Sequence, residues 1–249
     1  MAKIINFKND INKQEMIEVA GAINEGKIVV FPTETVYGIG ANAFDKDAVN
    51  RIFIAKGRPT DNPLIVHICD ESMLSEVAKN ISDVEKKIID NFMPGPITII
   101  LPKKESIPNN VTCGLETVGI RMPENNIARK LIKTSGVPIA APSANISGKP
   151  SGTNVDDILE ELKDRVDYIV DGGACNIGVE STVIKVEKGV VNILRPGKVS
   201  PEDFEKIGIK VNLDSHIFSD VKDGEKVESP GMKHKHYAPN AKSVLVCIK

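Results

Sequence analysis

Apolar positions along the chain recur at two spacings, and the alternation between them predicts an α/β fold. From Asn12 to Glu25, Met16, Ile17, Ala20 and Ile23 keep helical spacing, and Gly26 follows as a helix-ending residue. Lys27 to Phe31 reads as a short strand. Asp45 is the predicted N-cap of a helix through Val49, Ile52 and Phe53, ending near Lys56, and Leu64 to Ile68 is the next strand. Ser82 and Glu85 form a capping box for a helix reaching Phe92, where Pro94-Gly95-Pro96 breaks it. Ile97 to Leu101 and Val118 to Met122 are runs of β-formers, and Asn126 to Lys133 is helical. Pro138 to Ala141 leads into a strand that ends in Ser143-Ala144-Asn145. Ser181 to Val186 and Val190 to Leu194 flank Lys188-Gly189, a hairpin signal that makes the sheet mixed. Ser200-Pro201-Glu202-Asp203 opens a short capped helix.

These elements predict one α/β domain over residues 1–210. From Asp214 to Asn240 the pattern lapses into Asp, Ser, Lys, Gly and Pro, so 211–240 is expected to be a linker. Ser243 to Ile248 starts a new apolar strand, which cannot bury its face alone. Residues 241–249 are therefore expected to be the first strand of a second domain, truncated or missing here. No internal repeat suggests a solenoid.

Composition narrows the function classes. The 249 residues are 41% hydrophobic and 27% charged, as in an ordinary globular protein. With 32 Lys and Arg against 34 Asp and Glu the formal charge is −2, so anion binding requires a local cluster. Trp is absent and aromatics reach 4%, which weakens readings built on base stacking. Cys69, Cys113, Cys175 and Cys247 form no CxxC pair, and three of the four lie in or beside apolar runs, where cysteine is expected to pack as a small hydrophobe. The N-terminus lacks a signal-peptide core and no run is long enough to span a membrane, so the expected location is the cytoplasm.

The chemistry concentrates between Phe31 and Ile68. Thr33, Thr35 and Tyr37 line a Pro-to-Gly loop with hydroxyls. Lys56 and Arg58 flank Gly57 ahead of Pro59, which favours an extended segment with both cations on one side, suited to an oxyanion. They could equally be solvated charges at a helix C-terminus. Ser143 and Asn145 follow a strand, where they either cap a turn or face a ligand crevice. His67 closes an apolar strand and reads alone as a hydrogen-bonded packing residue. Arg121 and Arg195 sit in apolar strands, where each must pair or face a cavity. His234 and His236 lack a ligand partner nearby, so their segment is a basic linker or a lid, with Tyr237 able to stack. P-loop, GxGxxG, HExxH and GxSxG motifs are all missing.

Together the motifs carry a resemblance. Pro32-Thr33-Glu34-Thr35-Val36-Tyr37-Gly38, Lys56-Gly57-Arg58-Pro59 with Asn62-Pro63-Leu64, and Gly119-Ile120-Arg121-Met122-Pro123 resemble the YrdC family. So do Pro142-Ser143-Ala144-Asn145-Ile146-Ser147-Gly148, Glu180-Ser181-Thr182-Val183 and Leu194-Arg195-Pro196-Gly197. The match spans residues 10 to 210, and the run Ser229 to Pro239 is similar to the linker of the long, two-domain form.

The resemblance implies a twisted open mixed sheet with flanking helices and a concave basic cavity, followed by a Rossmann-like domain in the long form. It implies a nucleotidyltransferase that joins L-threonine, bicarbonate or CO2 and ATP into threonylcarbamoyl-adenylate, releasing pyrophosphate. A separate transferase machinery passes the group to tRNA, with which contact is conceivable. By motif, Thr35, His67, Arg121, Ala141 and Ser181 surround threonine. Arg58, Asn62, Thr117, Ser143, Ser151, Arg195 and Tyr237 contact ATP, and Lys56, Arg58, Ser143 and Asn145 are the catalytic set. Mg2+ rides on the ATP phosphates, with no dedicated protein metal site and no organic cofactor. Two alternatives stand beside this reading: a non-catalytic RNA-binding module using the same basic pocket, and a related carbamoyl-adenylate enzyme with another acceptor amine.

Overall fold

The computed structural model describes residues 1–214 and Ile217. In chain order these form β1 (Lys3–Asn6), α1 (Lys13–Asn24), β2 (Val29–Phe31), β3 (Gly38–Asn42), α2 (Lys46–Lys56) and β4 (Ile65–His67). Then come α3 (Glu71–Val77), α4 (Asp83–Phe92), β5 (Ile97–Pro102), α5 (Asn109–Thr112), β6 (Thr117–Arg121), α6 (Asn126–Ser135) and β7 (Ile139–Ala140). The last are α7 (Val155–Leu162), β8 (Tyr168–Asp171), β9 (Thr182–Glu187), β10 (Val190–Arg195), α8 (Pro201–Lys206) and β11 (Val211–Leu213).

The strands join one open, twisted sheet in the order β1-β8-β2-β3-β7-β4-β6-β5-β9-β10-β11. Its pairing is mixed: β4 runs parallel to β6 and β5 to β9, whereas β7 is antiparallel to both β3 and β4. The predicted hairpin is β9–β10, turning through Lys188 and Gly189, both at positive φ.

Local chemistry sets the helix ends. Asn12 and Asp45 accept N–H bonds from the first turns of α1 and α2, and Ser82 with Glu85 closes the capping box of α4. The core packs Met16, Ile23, Phe31, Ile39, Ile52 and Val66 between helices and sheet. Ile17, predicted to share the buried face of α1, is instead exposed. The helical stripe runs through Met16, Val19, Ala20 and Ile23.

Several elements were not predicted: β1, β3, α3, α5, α7, β8 and β11. Since Val191 to Ile193 pair with Val211 to Leu213, the sheet extends past the expected limit at 210 into the stretch assigned to linker. The remainder of 211–240, and the strand expected at 241–249, lie outside the described residues. Among the described residues no helix is long and apolar enough to cross a membrane.

Candidate active site

Side chains at period two share a face of a strand, and Pro63, Ile65 and His67 line one cavity along β4. Arg121, at the end of β6, stands opposite His67 in the parallel β4–β6 register and also lines it. The Ala141 N–H donates to the Ile65 carbonyl (2.8 Å), which brings the chain leaving β7 over the same floor. Walls come from Thr33, Thr35 and Val36 in the β2–β3 loop, Ser143 after β7, Glu180 and Ser181 before β9, and Arg195 closing β10. The space between them, open solvent at the mouth included, is about 540 Å³.

Hydroxyl bonding shapes the β2–β3 loop. Thr33 Oγ1 donates to the Val36 carbonyl (2.6 Å) and accepts from the Thr35 N–H (3.2 Å), a side-chain-closed turn. Tyr37 does not offer its hydroxyl to the cavity as the sequence suggested. Its Oη donates to the Gly173 carbonyl (2.6 Å) and accepts from the Gly172 N–H (3.1 Å), pinning the loop to the end of β8.

Arg121 is buried, and its Nη2 donates to Glu34 Oε1 at 2.6 Å. Glu34 Oε2 in turn accepts from the N–H groups of Glu124 (3.1 Å) and Asn125 (3.4 Å), so one carboxylate ties the loop to the chain after β6. Arg121 Nε and His67 Nδ1 are both buried without a hydrogen-bond partner. Burial, helped by the Arg121 charge, pushes the His67 pKa down to about 3, so this imidazole is neutral near pH 7. The unsatisfied Arg121 Nε–H is an unfilled demand for a ligand oxygen, and the neutral His67 Nδ1 donates or accepts according to its tautomer.

The two cations around Gly57 diverge rather than align. Lys56 ends α2 and Gly57 takes the left-handed conformation (φ 61°), so the segment is a helix C-cap, not an extended strand. Lys56 turns inward and donates to the carbonyls of Ser143 (2.5 Å) and Asn145 (2.6 Å) and to Asn145 Oδ1 (3.2 Å). Burial and the nearby Arg58 charge draw its pKa down to about 7. Asn145 spends its amide on the carbonyls of Ile146 (2.9 Å) and Lys149 (2.8 Å), and its Oδ1 accepts from Ser143 Oγ at 2.7 Å. Lys56 and Asn145 thus sit behind the wall and hold Ser143 in it. Arg58 does reach the cavity, with Nε on the Asn62 carbonyl (3.2 Å) and Nη2 on the Pro63 carbonyl (3.1 Å).

Across the cavity, Arg195 donates through Nη1 to Glu180 Oε2 (2.7 Å) and through Nη2 to the Ser181 carbonyl (2.9 Å) and Oγ (3.1 Å). Ser151 Oγ donates to Glu180 Oε1 (3.2 Å), and Ser181 Oγ shares a hydrogen bond with Thr98 Oγ1 (2.8 Å).

Comparison with known proteins supplies the family. Residues 21–197 match the Sua5–YciO–YrdC family model, described as "Telomere recombination", and residues 199–249 match the model described as the C-terminal domain of threonylcarbamoyl-AMP synthase. The chain belongs to the Sua5–YciO–YrdC family. Threonylcarbamoyl-AMP synthase of Pyrococcus abyssi is 47% identical over 246 residues, covering 99% of this chain and 72% of that protein. The Bacillus subtilis protein of the same name is 48% identical over 231 residues, covering 92% and 66%. A crystal structure of P. abyssi Sua5 complexed with L-threonine superposes with a TM-score of 0.93 at 47% identity, over 97% of this chain and 70% of that one.

Against the family motifs, the geometry separates the expected residues into three groups. Thr35, Arg58, His67, Arg121, Ala141, Ser143, Ser181 and Arg195 all line the one cavity. Lys56, Asn145, Asn62 and Ser151 stand behind it, each bonded to a wall residue. Thr117 shares the cavity face of β6 but starts the strand, four residues or roughly 13 Å from Arg121 at the strand rise. Tyr237, His234, His236 and Cys247 lie outside the described residues. Among the described residues Cys69, Cys113 and Cys175 form no disulfide, and burial pushes the thiols of Cys69 and Cys175 up to about 11. Among the described residues no three potential ligands cluster as a metal site.

Glu34 and Glu180 were missed. Both lay inside motifs already singled out, and the need of a buried arginine for a partner was the available signal.

Proposed function

We propose that this chain synthesises threonylcarbamoyl-adenylate from L-threonine, bicarbonate or CO2 and ATP, releasing pyrophosphate. The observation that carries the reading is the pair of buried, unpartnered nitrogens, Arg121 Nε and His67 Nδ1, in a cavity shared with Arg58 and Arg195. A threonine carboxylate seated on Arg121 satisfies the open donor. Ser181 and Thr35 supply hydroxyls, and Ala141 and Ile65 an apolar surface, for the side chain. The triphosphate then lies toward Arg58 and Ser143, with Arg195 across from it.

The chemistry needs no covalent enzyme intermediate. The free threonine amine attacks the carbon of CO2 or bicarbonate to give a carbamate, releasing a proton when CO2 reacts and a water molecule when bicarbonate does. A carbamate oxygen then attacks the α-phosphorus, and the bond to the leaving pyrophosphate breaks. The protein contributes position and charge: the reactants are held in line, and guanidinium groups offset negative charge developing on the transferring phosphoryl and the leaving group. Lys56 and Asn145 act through Ser143, which they fix in place. Mg2+ is assigned to the ATP phosphates, Thr117 and Tyr237 to the outer part of the nucleotide, and the product to a separate transferase acting on tRNA.

Exchange of labelled pyrophosphate into ATP tests the reading. It is expected only with threonine and bicarbonate both present. Exchange indifferent to threonine would refute it.

A further inference from the structure

The two ends of the cavity differ in charge balance. At one end, Arg121 is tied to Glu34 by a buried ion pair of 2.6 Å, and the adjacent His67 is held neutral by burial. That end carries a cationic donor but no net charge. At the other end, Arg58 donates to two backbone carbonyls and forms no ion pair with a described carboxylate, although the charges of Glu180 and Asp61 act on it. Arg58 is therefore the less compensated of these two guanidinium groups.

Glu34 is fastened from both sides. Its Oε1 holds Arg121 Nη2 and its Oε2 accepts two backbone N–H groups, of Glu124 and Asn125. The guanidinium edge bound to Glu34 is fixed, and Nε is left without a partner. An α-amino acid is a net-neutral zwitterion and suits a balanced site that offers directed donors. Inorganic phosphate and the ATP phosphates carry more negative charge and require uncompensated cations. Discrimination by an adverse charge is a recognised route to specificity.

We infer that Glu34 is a specificity-determining positioning residue: it orients Arg121 for an amino-acid carboxylate and cancels the charge that would draw phosphate into that end. The inference rests on the threonine reading above. In the wild-type cavity, phosphate is admitted at the Arg58 end and excluded from the Arg121 end, so ATP and threonine cannot exchange places.

The test is calorimetric titration of the full 249-residue chain with L-threonine, with and without excess inorganic phosphate. In the wild type, phosphate leaves the apparent threonine Kd unchanged. In Glu34→Gln the Kd rises about tenfold, through loss of a charged hydrogen bond, and phosphate raises it further by competition. Glu34→Asp keeps the charge but shortens the reach, so threonine binding weakens while phosphate still does not compete. Should Glu34→Gln fail to fold, the wild-type and Glu34→Asp titrations carry the test. Phosphate competing in either of them overturns the inference, as does a folded Glu34→Gln that phosphate does not affect. A wild-type chain that binds phosphate but not threonine would refute the proposed function itself.

Discussion

Lys56 shows how a residue can belong to a site without touching what the site binds. Its three hydrogen bonds go to the Ser143 carbonyl and to two oxygens of Asn145, so removing the amine leaves several buried acceptors unpaired. Lys56→Met should cost about 3 kcal/mol of stability and loosen the Ser143 loop. The pH dependence has a definite sign. The folded-state pKa of about 7 lies below the ordinary lysine value of 10.5, so between these limits the unfolded chain holds the extra proton. Stability from this group therefore increases as pH rises from about 7 to 10.5. Denaturant midpoints should show the wild-type advantage over Lys56→Met widening across that window. A narrowing advantage would mean that the three carbonyl oxygens keep the buried amine charged.

At the scale of elements, the cavity depends on close backbone approach. A Cβ at Gly197 would collide with the backbone N of Thr182 and lie 2.7 Å from the Glu180 carbonyl, at the start of β9 where Glu180 and Ser181 face the ligand space. Gly197→Ala should cost about 2 kcal/mol or more, and threonine affinity should fall along with the melting temperature. Unchanged values for both would show that this approach is not needed. The same scale explains what the sequence disclosed. Caps at Asn12, Asp45 and Ser82 are local chemistry, and the helices they begin were legible to within a few residues. Strand β3 was hidden because Gly38 and Gly40 interrupt its alternation. Packing requires the second of them, a Cβ on Gly40 falling 2.6 Å from Ile139 and 2.7 Å from Phe31. The divergence of Lys56 from Arg58 was equally hidden. A proline after Arg58 suggested extension, but the left-handed Gly57 closes a helix first. Motif residues were legible, and their carboxylate partners were not, because nothing local says that Glu34 meets Arg121 across 87 positions.

At the scale of the whole molecule, the sheet order turns distant segments into neighbours. Strands β3, β7, β4 and β6 are adjacent although they begin at residues 38, 139, 65 and 117, and the loops they carry meet over one face. A chain with a net charge of −2 thereby gathers three arginines into one cavity. Burial makes each charge more potent than it would be on the surface, and nearby carboxylates or carbonyls set where a ligand's negative groups can rest. The central claim is that threonine and ATP lie side by side in this cavity, each at its own end. Its most direct test is a crystal structure with L-threonine and a non-hydrolysable ATP analogue bound together. The account predicts the threonine carboxylate on Arg121 beside His67 and the triphosphate at Arg58 and Ser143. A triphosphate seated on Arg121, or either ligand bound outside the cavity, would contradict it.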